Sequence, residues 1–150
     1  MPDLASHALI AYFVSLSFKK RYKVAIFLLG AILPDLLSES LFYFIKTDRQ
    51  RWFSYPTHSP IYLFLLCLVV SLLFEQSKRR KIFVYLFTGS CLHIFLDGLQ
   101  KHFDSNLFWF FPFLWHSFSL GLFWPENILF VMPFLVMALV ITLYFRRKLC

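Results

Sequence analysis

Five apolar segments dominate this 150-residue chain and limit what it can fold into. They run from Leu4 to Phe18, from Val24 to an interruption at Pro34-Asp35 with a weaker stretch from Leu41 to Ile45, from Pro60 to Phe74, from Ile82 to Leu96, and from Ile128 to Phe145. Hydrophobic residues make up 59% of the chain and aromatic residues 21%, more apolar surface than a soluble domain of this length can cover. We therefore predict an all-α integral membrane protein with about five transmembrane helices, in preference to a soluble all-α protein with an unusually apolar core.

The lengths of these segments indicate how they cross the bilayer. Only the fifth approaches the roughly 20 residues of an independent span, so the other four are expected to insert as a bundle whose helices shelter one another. Pro34 is expected to break the second segment just before Asp35, because proline lacks the N–H that an inner helical residue donates. The aromatic stretch 103–124 is predicted to be an interfacial loop or in-plane helix, and residues 1–150 are predicted to form one domain.

Three basic clusters set the orientation of the predicted bundle. They lie at 19–23, 78–81 and 146–148, which five spans place on one side, and the positive-inside rule makes that side cytoplasmic. We therefore predict a multi-pass protein of a bacterial-type inner membrane, with its N-terminus outside and its C-terminus in the cytoplasm. The net charge of +7 follows from this pattern and from attraction to anionic headgroups, so membrane lipids are expected partners and nucleic acid is not.

Ionisable residues inside the apolar segments share one predicted depth. His7, Asp35 and His93 each lie eleven residues from the cytoplasmic end of their segment, which at about 1.5 Å per helical residue is roughly 16 Å from that edge. The apolar layer is about 30 Å thick, so this depth is near its middle. Asp97 lies one turn further out on the same helix face as His93, and His58 lies at a similar outer level.

This set of three imidazoles and two carboxylates predicts a metal site. A buried Asp costs about 2.5–3.5 kcal/mol on insertion scales unless it faces a partner, water or a cation, and the donor set suits a divalent transition metal, with zinc the leading candidate. Small residues at 89–91 are expected to let that helix pack closely against a neighbour. A hydrogen-bonded structural cluster is the alternative, and for His58 the alternative role is to cap the third helix together with its neighbours.

The ordered motifs also carry a family resemblance. MPDLASH opens the chain, and GAILPDL at 30–36, THS at 57–59, GSCLHIFLDGL at 89–99 and WFFPF at 109–113 follow in that order. The chain resembles the YdjM family of LexA-binding, inner-membrane-associated metal-dependent hydrolases. The resemblance implies a multi-pass helical protein with a zinc-type hydrolase site, and it marks as metal ligands His7, Asp35, His58, His93 and Asp97. Where family members often follow LPD with further acidic or His residues, this chain has LPDLLSES, so either Glu39 substitutes or a second metal is absent.

The predicted activity is hydrolysis of an ester or phosphoester by a metal-activated water. Asp35 and Asp97 are each candidates for ligand or general base, and Glu39 is a third candidate for proton transfer. A site open to the non-cytoplasmic side favours an amphiphilic or lipid-linked substrate. The alternative is a metal-ion carrier without hydrolase activity, which is disfavoured because the inner halves of the segments are apolar and no repeat is visible.

Overall fold

The computed structural model describes residues 4–18, 20–44, 57–101, 108–114, 118–122, 124, 127, 133–134, 136–142 and 144, without the side chains of 39 and 41–44. Four helices are α1 (Leu4–Ser15), α2 (Arg21–Phe44), α3 (Pro60–Leu72) and α4 (Gln76–Leu99). Residues 133–134, 136–142 and 144 are also helical. The prediction of an all-α protein is confirmed.

The prediction of five transmembrane helices is not supported. Among the described residues, only α4 is long and apolar enough to cross a membrane, judged by length and composition, while α1 and α3 are shorter apolar helices. The fifth segment, to which the sequence gave the best length for a span, lies partly outside the described residues. Helix α4 is longer than its apolar run because its first turns lie in the basic cluster at 78–81, and lysine and arginine are good helix formers.

Pro34 does not break α2, which corrects the predicted interruption. The helix continues through Pro34 for 24 residues. Proline has no N–H, so it cannot donate to the carbonyl of Gly30 one turn earlier. Ser90 Oγ of α4 lies 2.9 Å from that carbonyl oxygen and donates to it. A hydroxyl from a neighbouring helix therefore satisfies the carbonyl that the proline frees.

Helices α2 and α4 form the largest helix–helix contact of the described chain, and glycines make it close. A β carbon on Gly30 would overlap the carbonyl of Leu86, and a β carbon on Gly89 would overlap the carbonyl of Phe27. The two backbones therefore touch directly, as small residues allow in membrane bundles. The expectation that Cys91 belongs to this contact is wrong, because its side chain is exposed on another face of α4.

The shorter helices pack on the two sides of this central pair. Ala11 of α1 is buried with Phe27 and Ala31 of α2. On the other side, Cys67 of α3 is buried with Ile82 and Leu86 of α4. Helix α1 thus packs on the middle of α2, and α3 packs on α4.

The outer face of α3 is apolar along its length. Leu65, Val69 and Leu72 are each more than half exposed, and their spacing places them on one stripe of the helix. A contiguous exposed apolar stripe is characteristic of a surface that contacts lipid or another protein.

The described part of the aromatic stretch, 108–114, 118–122 and 124, contains turns and irregular backbone but no helix. This outcome agrees with the predicted loop and not with the in-plane helix. The stretch closes against the end of α4, where Leu120 N–H donates to Gly98 O and Leu122 N–H donates to Leu99 O, both at 2.8 Å.

Candidate metal centre

The structure brings together all five residues that the sequence singles out as metal ligands. One histidine comes from α1, one aspartate from α2, one histidine from the turn before α3, and a His–Asp pair from α4. All five side chains are buried, with the most accessible only 8% exposed: His7, Asp35, His58, His93 and Asp97. Three imidazoles and two carboxylates thus share one buried cluster, which we call the His3Asp2 cluster.

Asp97 lies between two of the imidazoles. Its Oδ1 is 3.1 Å from His7 Nε2, and its Oδ2 is 3.2 Å from His93 Nε2. The contact with His93 follows from their spacing of four residues, which puts both on one face of α4. A third distance, 3.7 Å from Asp97 Oδ2 to His58 Nε2, joins the turn before α3 to the same carboxylate.

Asp35 approaches the cluster from the opposite side. Its Oδ1 lies 3.3 Å from His58 Nε2 and 3.6 Å from His93 Nε2. The two carboxylates therefore hold His93 between them. The histidine rings also lie close to one another: the centroid of His93 is 4.4 Å from that of His7 and 5.4 Å from that of His58.

A backbone hydrogen bond fixes the orientation of His93. Its Nδ1 lies 2.8 Å from Ala31 O of α2, and because a carbonyl only accepts, Nδ1 carries the proton and donates. In the neutral ring Nε2 then has a lone pair, and it points at two carboxylate oxygens that also carry lone pairs. Nε2 is buried and makes no hydrogen bond to any described residue. Such an arrangement calls for a shared cation, and this second-nitrogen hydrogen bond is typical of metal-ligating histidines.

Ser59, and not His58, caps α3. Its hydroxyl accepts from Tyr62 N–H, and Pro60 occupies the first turn, where its missing N–H costs nothing. His58 is therefore directed to the cluster, and its Nδ1 lies 3.1 Å from Thr57 Oγ1. The reading of His58 as a helix cap is wrong, since its neighbour takes that role.

The donor atoms meet the spacing that a metal ion needs. Two sets of three have their ligand atoms within 4.8 Å of one another, one with His7, His93 and Asp97 and the other with Asp35, His58 and His93. Both sets include His93, so they meet at one imidazole. Imidazole and carboxylate donors suit zinc and related divalent transition metals. The buried, unbonded Nε2 of His93 and the donor chemistry fit such an ion; that these residues bind one stays a prediction.

Glu39 is in α2, one turn after Asp35, and the helix continues between them; its side chain lies outside the described residues.

Sequence reasoning missed two groups that position the cluster. These are the Ala31 carbonyl, which holds His93, and Ser90, which compensates for Pro34. The sequence did contain a signal for the role of Ser90. Because Pro34 has no N–H, the carbonyl of Gly30 lacks its usual donor, and Ser90 supplies a hydroxyl one turn before His93. Nothing in one sequence tells that these two helices are neighbours, so the pair was not predicted.

Comparison with known proteins agrees with the motif resemblance. The family model described as YdjM inner membrane protein matches residues 1–149. No curated protein and no solved structure is significantly similar to the chain.

Proposed function

The chain belongs to the YdjM inner membrane protein family, and from that premise we propose that it is a membrane-bound, metal-dependent hydrolase acting on an ester or phosphoester. The observation that carries the proposal is the His3Asp2 cluster, in which Nε2 of His93 lies close to the oxygens of two buried carboxylates while its Nδ1 is held by Ala31 O. Burying five ionisable side chains costs folding free energy unless they are paired or bind a charged ligand.

The residues of the cluster have different roles in the proposed reaction. His93 is oriented by Ala31 O, and the two carboxylates supply negative charge that would offset a divalent cation. A divalent transition metal, with zinc the leading candidate, would polarise the substrate oxygen and lower the pKa of a water molecule. Proton transfer is assigned to a carboxylate that does not hold the metal. Glu39 is our first candidate, because Asp35 and Asp97 already lie among the imidazoles.

A purely structural role for the cluster is the simplest competing account. In that account, N–H groups of the histidines would donate hydrogen bonds to both carboxylates. One such pair is present, because His58 Nε2 lies 3.3 Å from Asp35 Oδ1 in hydrogen-bond geometry. The metal content of the purified protein distinguishes the two accounts, since only the metal site requires a bound ion.

We propose further that the chain is a multi-pass protein of the inner membrane with its N-terminus outside, its C-terminus in the cytoplasm and its cluster facing the non-cytoplasmic side. The exposed apolar stripe Leu65, Val69 and Leu72 supports membrane contact for α3. The basic residues at the start of α2 and in the first turns of α4 support a common cytoplasmic end. Residues 1–150 are taken as one domain.

Amide substitutions separate the enzyme from its alternatives. Glu39→Gln keeps the side-chain shape and removes the base, so it should keep the metal and lower hydrolysis about a hundred- to ten-thousandfold. The substrates are a panel of lipid esters and phosphoesters in detergent micelles. Glu75→Gln is the control, since Glu75 is exposed and pairs with Lys78 at the other end of α4; it should retain full activity.

A metal-ion carrier without hydrolase activity is the second candidate function. It is favoured by one result: metal-loaded wild-type protein that hydrolyses nothing on the panel while vesicles containing it take up Zn²⁺. If Asp35→Asn or Asp97→Asn keeps the metal and loses hydrolysis while Glu39→Gln stays active, the enzyme proposal stands but the base is reassigned.

A further inference from the structure

An open apolar pocket, called the cavity below, is lined by residues that are chain neighbours of the His3Asp2 cluster. Its volume is about 840 Å³, within the roughly 300–1,000 Å³ of small-molecule sites. Helices α3 and α4 and the aromatic stretch each contribute to its walls, which carry no charged side chain. The lining residues used below are Pro60, Gly98, Leu99, Trp109, Phe110 and Leu120.

Two residues that line the cavity are near neighbours in the chain of cluster residues, although no cluster side chain is itself part of the lining. Gly98 directly follows Asp97, and Pro60 lies two residues after His58. His58 is also the most accessible member of the cluster. A ligand with a polar head and an apolar tail would therefore find a polar centre and an apolar compartment in adjacent positions.

The wall of the cavity is held in place before any ligand arrives. Trp109 Nε1–H donates to Phe118 O at 2.8 Å, and the Leu120 N–H bond to Gly98 O ties the loop to α4. Gly98 is needed beneath the indole, because a β carbon there would lie 2.8 Å from Trp109 Cζ2. A preformed apolar compartment binds its ligand without the cost of ordering loops.

We propose that this cavity binds the alkyl or acyl chain of the substrate, with the ester or phosphoester group of the same molecule at the His3Asp2 cluster. The inference rests on the proposed function and specifies its substrate as a chain-bearing amphiphile. A water-soluble ester without a long apolar chain would leave the cavity unused.

Binding of non-hydrolysable n-alkylphosphonates, from butyl to dodecyl, tests the proposal without relying on turnover. The metal-loaded protein is titrated by calorimetry at a fixed detergent concentration. Affinity should rise about fourfold per added methylene while the chain still fits, the factor expected for burial of one CH2, and then reach a plateau.

Two leucines provide a matched pair of variants. Leu120→Trp fills the cavity and should abolish the dependence on chain length. Leu72→Trp places the same bulk on the outer face of α3, where the side chain is similarly exposed, and should keep the dependence. A third variant, Phe110→Ala, enlarges the cavity and should move the plateau to a longer chain. This shift of the plateau tests the proposal if Leu120→Trp does not fold.

A slope in Leu120→Trp equal to that of the wild type and Leu72→Trp would mean that the chains merely dissolve in micelles or lipid, and the proposal would be overturned. Where Leu120→Trp does not fold, a plateau in Phe110→Ala at the same chain length as in the wild type would overturn it. Failure of the proposed function looks different. In that case no ester is hydrolysed, yet the chain-length dependence and its loss in Leu120→Trp remain.

Discussion

Substituting Gly89 by alanine tests whether the contact between α2 and α4 sets the geometry of the cluster. Helix propensity alone predicts a more stable protein, since alanine is about 1 kcal/mol more favourable than glycine inside a helix. The structure predicts the opposite. A β carbon at Gly89 would overlap the Phe27 carbonyl and lie 2.9 Å from Ala31 N, and backbone atoms cannot rotate away as a side chain can.

The size of the effect follows from that collision. The helices must separate by roughly 1 Å to restore ordinary van der Waals contact, and overpacking of this kind typically costs about 1–3 kcal/mol. The net free energy of unfolding should therefore fall despite the better propensity. Metal ligands tolerate only about 0.2 Å of displacement. Because Asp35 is on α2 while His93 and Asp97 are on α4, metal affinity should fall about 10- to 100-fold, as for other supporting residues of metal sites.

The assay measures metal affinity with a competing chelator and unfolding in mixed detergent micelles on the same samples. Thr88→Ala is the matched control, because it adds helix propensity at the neighbouring exposed position and its hydroxyl bonds only within α4. It should leave both quantities close to wild type. A Gly89→Ala protein that is more stable than wild type and binds metal equally well would refute the close-contact reasoning.

Two further predictions concern the support of the cluster and its orientation. Ser90→Ala removes the donor to Gly30 O, and Pro34 has no N–H to replace it, so the variant should lower the free energy of unfolding by about 1–3 kcal/mol. Ser71→Ala is the control, because the Ser71 hydroxyl donates to Leu68 O within its own helix, and it should cost less. Equal losses in the two variants would contradict the role of Ser90 in compensating for Pro34. In a background without other cysteines, a cysteine at Ser77 should react with an impermeant reagent only from the cytoplasm and one at Ser105 only from outside; reaction of both from one face would contradict the proposed topology.

The residues of the cluster were predictable because burial of charge is expensive. His7, Asp35 and His93 stood at equal distances from basic clusters, and helical rise turned those distances into one depth. The structure brings these residues into contact with His58 and Asp97. Position along a helix follows from the number of residues alone, so the prediction needed no knowledge of which helices are neighbours.

The helix boundaries were less predictable, since they depend on tertiary contacts. Pro34 suggested a break, but Ser90 from α4 supplies the missing hydrogen bond, and that pairing spans 60 residues of sequence. In α4 the apolar run understated the helix, because the basic turns that precede it are helical as well. The apolar cavity was not foreseen either, since it needs α3, α4 and the aromatic stretch to meet.

The most direct measurement of the central claim is the metal content of the purified protein, determined by elemental analysis in chelator-free buffer. Wild type should carry about one or two zinc-like ions per chain, and His93→Ala combined with Asp97→Ala should carry none. Replacing His102 and His116, the two histidines that are not among the predicted ligands, should leave the content unchanged. A wild-type protein without metal, or a double variant that keeps it, would contradict the account.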